Sequence, residues 1–119
     1  MIEINNLTNQ KLDLGAIKKI FQRAIKILKI KKSISLAFVD SRSIKKLNKT
    51  YRRKNKETDV LSFPNFPHAK QSKWYSPEIS NYLGEVIISL PVAKQQAFQS
   101  KHSLEKEIKI LFVHSLFIF

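Results

Sequence analysis

Apolar and polar positions recur along this chain with two different periods. Leu14, Ile17, Ile20, Phe21, Ala24, Ile27 and Leu28 return every three to four residues, with lysines mostly between them. That spacing predicts a helix over 14–30 with one apolar stripe, and Asp13 can cap its first turn. Ile34, Leu36 and Phe38 instead alternate with Ser35, Ala37 and Val39, which predicts a strand over 33–39. Residues 1–5 alternate more weakly and suit a short edge strand. Asp40 or Ser41 can open a second helix, which Ile44, Leu47 and Tyr51 carry to about position 51. Val60 to Phe63 reads as a strand stopped by Pro64, and Tyr82 to Ser89 as another. Pro91 suits the first turn of a third helix running to Gln99. Ser103 caps a fourth, with Glu105 and Lys109 placed four apart as a supporting pair.

Two stretches depart from this regularity. From Ile110 onward the last helix is apolar on all sides, which predicts a buried central helix. No C′ glycine, polar last turn or proline closes it, so it reads as a helix still in progress at Phe119. Residues 64–82 hold three of the four prolines and the only tryptophan, and are expected to form an irregular loop. The order β-α-β-α-β-loop-β-α-α gives a single α+β domain over 1–119, a small mixed four-stranded sheet packed with helices.

Composition narrows the class. The apolar fraction of 43% is too high for a disordered chain, and 119 residues suffice to bury on the order of two-thirds of the unfolded surface. The absence of cysteine excludes disulfides and thiolate metal sites. Residues 1–10 hold no apolar signal segment, and the stretch 110–119 is too short to span a bilayer. A soluble, cytoplasmic protein without membrane contact is the expectation.

The net charge is +13 and the pI about 10.1. Such a balance suits a polyanion, either nucleic acid or an anionic membrane surface. A Lys/Ile/Asn bias of the kind an AT-rich genome writes would give the same number. The cations are densest at Arg52–Glu57, where Arg52, Arg53, Lys54 and Lys56 follow a helix end. Guanidinium offers paired donors to a phosphate, so this loop is a candidate phosphate clamp; a merely solvated basic loop is the alternative.

Other chemistry is sparse. His114 lies on the apolar helix, but position 118, one turn on, is isoleucine; spacing alone therefore gives no metal site. His68 and His102 read as solvated loop residues. Glu85 and Glu107 are not spaced as an acid–base pair. With only Gly15 and Gly84, no glycine-rich phosphate loop exists.

Several segments together resemble the YbeY-type rRNA maturation factors. They are Leu47-Asn48-x-x-Tyr51-Arg52, Lys54-Asn55, and the run Thr58-Asp59-Val60-Leu61-Ser62-Phe63-Pro64. Leu83-Gly84-Glu85-x-x-Ile88-Ser89 continues the likeness, with glutamate where the family usually has aspartate. Gln96-Ala97, His102-Ser103-x-Glu105, and Glu107 seven residues before His114 complete it. The resemblance covers nearly the whole chain.

It implies a metal-dependent, single-strand-specific endoribonuclease of 16S rRNA 3′-end processing and ribosome quality control. Its partners would be single-stranded rRNA and the ribosomal subunit, and its fold zincin-like. It implies a zinc site of the pattern H-G-x-x-H-x-x-x-x-x-H whose first histidine is His114, and an RNA-contacting arginine at Arg52. The departures fall on that site. Ser115 stands at the glycine, Ile118 at the second histidine, and the third position lies past Phe119. The expectation is a YbeY fold lacking its C-terminal end, without retained zinc or hydrolysis. A non-catalytic basic RNA- or ribosome-binding module and an unstable remnant are the alternatives.

Overall fold

The computed structural model describes residues 2–64 and 82–117. Their order is β1 (Ile2–Asn6), α1 (Leu14–Ile27), β2 (Ser33–Val39), α2 (Ser41–Arg52), β3 (Val60–Pro64), β4 (Tyr82–Ser89), α3 (Leu90–Ser100) and α4 (Leu104–Leu116). The four strands form one mixed sheet in the order β1-β2-β4-β3. β1, β2 and β4 run parallel, and β3 pairs antiparallel with β4 along the edge. This is the α+β arrangement expected from the order of patterns. Of the expected 64–82 loop, Pro64 and Tyr82 belong to strands, and 65–81 lie outside the described residues, as does Ile118.

Strand alternation sends two sets of side chains to opposite faces. Ile34, Leu36, Phe38, Val86 and Ile88 meet Ile17, Phe21 and Ile25 of α1 and Ile108, Leu111 and Phe112 of α4 in the main core. The Phe21 and Phe112 rings lie 4.2 Å apart at its centre. On the other face Val39, Leu61 and Ile87 form a smaller cluster with Ile44 and Leu47 of α2.

Caps set the helix ends. The carboxylates of Asp13 and Asp40 accept from the N–H groups of Ala16 and Ser43, and the Ser103 hydroxyl accepts from Lys106 N–H. α1 stops three residues earlier than its apolar spacing predicts, because Lys29 turns to φ 57° and Ile30 N–H returns to Ile25 O. Gly84 has φ 150°, open to glycine and rarely to other residues. It sits where the β2–β4 register shifts, between Ser33 and Ile34. The shift sets Glu85 opposite Ser35, on the face of the smaller cluster.

α4 departs from expectation in its burial. It is not buried all round: Ile108, Leu111, Phe112 and Ser115 face inward, while Ile110 and His114 are exposed. Its apolar composition therefore overstates its burial. The described helix spans Leu104–Leu116, and Phe117 keeps right-handed helical angles with its N–H on His114 O. Among the described residues no helix is long and apolar enough to cross a membrane.

Candidate functional site

The basic loop is a built element rather than a slack connection. α2 ends at Arg52, and Arg53 takes φ 57°, sending its N–H to Lys49 O at 3.1 Å. Lys54 N–H donates to Asn48 O at 3.3 Å. Asn48 is 2% exposed, and its Nδ2 donates to Lys56 O at 3.0 Å. One buried residue thus grips the loop at Lys54 through its backbone carbonyl and at Lys56 through its side-chain amide. At the far end, Asp59 O accepts from Ser89 N–H at 2.9 Å, and Gln96 Nε2 donates to Asp59 Oδ2 at 3.3 Å. A polar asparagine on the inner face of a helix is uninformative by periodicity alone; eight residues separate it from its acceptor.

Held this way, Arg52, Arg53, Lys54 and Lys56 are all exposed. Four cations on one anchored turn can bind an extended polyanion with little ordering on contact. Beside them the row Ser35–Glu85–Phe63 crosses three strands on the α2 face. Each of these side chains is only half-buried. The Tyr51 ring stands edge-on to Phe63 at 5.3 Å.

His114 lies elsewhere. It is exposed on the last turn of α4, and α4 packs on the face opposite α2. Among the described residues no three of histidine, cysteine, aspartate and glutamate converge as an ion-holding group. Zinc at a catalytic site takes three protein donors, and isoleucine at 118 has no donor atom. Of the imidazole positions that the resemblance implies, His114 is present and position 118 holds isoleucine.

His102 corrects an expectation. It is not a solvated loop residue: its Nε2 lies 2.6 Å from Glu107 Oε1, with the side chains 17% and 8% exposed. Ser103 is the N-cap of α4, so the pair joins the positions before the cap and in the second turn. An apolar staple normally spans those positions. That five-residue offset across a capping serine was the available signal. The pair ties the turn before α4 to that helix's second turn and places Glu107 in a structural contact.

Comparison with known proteins identifies the family and the fold. The family model described as Endoribonuclease YbeY matches residues 3–117. Endoribonuclease YbeY of Acholeplasma laidlawii is 36% identical over 113 residues, covering 95% of this chain and 75% of that protein. The same-named protein of Onion yellows phytoplasma is 40% identical over 114 residues, covering 96% and 73%. The solution structure of TM1509 from Thermotoga maritima shares the fold, with a TM-score of 0.64 at 20% identity, covering 98% of this chain and 69% of that one. Matched in fold and in family model along nearly all its length, the chain belongs to the endoribonuclease YbeY family.

Proposed function

We propose that this chain engages single-stranded ribosomal RNA through the Arg52–Lys56 loop, in the 16S rRNA 3′-end processing and ribosome quality control that the family resemblance implies. In this reading it is a ribosome-directed binding protein without hydrolysis of its own. The anchored loop is the observation that carries the binding: four exposed cations are held by Asn48 and Asp59. Arg52, at the position of the family's RNA-contacting arginine, offers paired N–H donors to one phosphate, and the flanking cations follow the strand. Isoleucine at 118 and the lone imidazole of His114 support the second half of the reading. Neither supplies the donor set of a catalytic zinc site.

The test is a binding and cleavage assay on single-stranded rRNA fragments with the full chain. Affinity is expected to fall steeply with salt, because each neutralised phosphate releases counterions. Arg52→Ala is expected to reduce the slope of log K against log salt by about 1. Salt-independent affinity would overturn the binding. Elemental analysis is expected to find zinc well below stoichiometry, with no chelator-sensitive cleavage. Stoichiometric zinc with such cleavage would overturn the loss of hydrolysis.

A further inference from the structure

We infer that the Tyr51 ring, braced by Phe63, is a stacking platform for a nucleobase of the strand whose phosphates meet the Arg52–Lys56 loop. This rests on the RNA-binding reading and adds to it a site for the base.

Three observations carry it. Tyr51 is 65% exposed, yet its ring is held edge-on to Phe63 at 5.3 Å and 73°. Phe63 in turn packs on the Val39–Ile44–Leu61–Ile87 cluster. A large aromatic face is therefore presented to solvent in a fixed orientation, with little side-chain freedom left to lose on binding. Phe98 and Phe117 are also exposed, but among the described residues neither pairs with a second ring.

Second, the ring and the first cation stand at consecutive positions at the end of α2, their side chains about 100° apart around the helix, so each can meet a different part of one strand. Tyr51 immediately precedes Arg52, and consecutive Cα atoms lie about 3.8 Å apart. A guanidinium taking a phosphate and a ring taking a base can then serve the same or the next nucleotide. Single strands are recognised by this division, bases stacked on aromatic faces and phosphates drawn to a cationic track.

Third, the floor beside the ring has the opposite charge. Phe63 pairs in register with Glu85, whose half-buried side chain shares its sheet face. A carboxylate there repels phosphate and leaves the shelf to the uncharged base. The strand is steered to lie backbone toward the loop, base toward Tyr51.

The experiment titrates the full chain with single-stranded RNA carrying 2-aminopurine, whose fluorescence is quenched when it stacks. The wild-type chain and Tyr51→Phe are expected to bind and quench. Tyr51→Leu keeps an apolar contact for Phe63 but no ring; it is expected to lose the quench and about tenfold in affinity. Its salt slope should stay unchanged, because no phosphate contact is removed. Arg52→Ala should do the reverse, with a lower slope and the quench retained. Full quench and wild-type affinity in Tyr51→Leu would overturn the platform alone. Absence of RNA binding by the wild-type chain would overturn both the platform and the reading beneath it.

Discussion

The two faces of the sheet are built for different ends. Against α1 and α4 the sheet buries a continuous core, from Ile2 through Phe21 and Phe38 to Phe112. Against α2 it buries a smaller set, Ala37, Val39, Ile44, Leu61 and Ile87, and then opens into the half-buried row Ser35–Glu85–Phe63. The first face holds the fold; the second gives up coverage to expose a ring, a carboxylate and a cationic loop. The polar anchors Asn48 and Asp59 belong to the open side. Apolar burial stabilises without direction, whereas a loop held by hydrogen bonds is fixed in one position. Recognition requires the second kind of hold.

Substitutions on each face should separate these roles. The largest expected effect is on the closed face. Phe112→Ala removes a ring packed on Phe21 and should destabilise the chain by about 3–5 kcal/mol in urea unfolding. If it did not, the main core would not be the source of stability. Next, Asn48→Ala removes the buried amide that donates to Lys56 O on the exposed loop. The expected loss is about 0.5–1.5 kcal/mol, with weaker RNA binding despite unchanged charge. Unchanged RNA affinity would mean that loop anchoring does not matter.

A smaller effect of opposite sign is expected at Ser62. Its Oγ is buried without a hydrogen-bond partner among the described residues, on the sheet side that carries Val86. Ser62→Ala should stabilise by about 1 kcal/mol in the same unfolding assay, because a buried unpaired hydroxyl is unfavourable. Destabilisation instead would reveal a partner for that hydroxyl.

The smallest effect is a pH dependence on the open face. Asp40 caps α2, and the Ser43 backbone N–H, then its hydroxyl, hold the carboxyl below its ordinary value of 3.8. A carboxyl with a depressed folded value stabilises fully above 3.8 and loses that contribution as pH falls through the lower value. Any advantage of the wild type over Asp40→Asn at neutral pH should therefore shrink in this acid range. An advantage that persisted there would assign the cap to another group.

Much of this was legible in the residues because periodicity records burial. The strands 33–39 and 82–89 and the caps Asp13 and Ser103 follow directly from alternation and capping chemistry. What stayed hidden were polar contacts made across the fold. Nothing local marks Gln96 as a partner of Asp59, or Asn48 as the anchor of Lys56. α4 misled for a related reason. An unbroken apolar run predicts burial on every side, but burial depends on the neighbours present, and Ile110 faces solvent. The basic loop was visible as a charge run; the hold that turns it into a surface of fixed shape was not.

Three helices end on a cation in the left-handed conformation, Lys29, Arg53 and Lys101, all at φ 57°. Glycine is the usual occupant of that position, and an L-residue there is held at about 1–2 kcal/mol above its preferred backbone. Each of these side chains also brings a positive charge to the negative end of a helix dipole, which offsets part of that strain. A share of the chain's charge is therefore architectural, fixed by where helices stop rather than by what they bind. Neutralising Lys29 or Lys101 would alter helix termination first, so a count of lysines overstates the surface devoted to a polyanion.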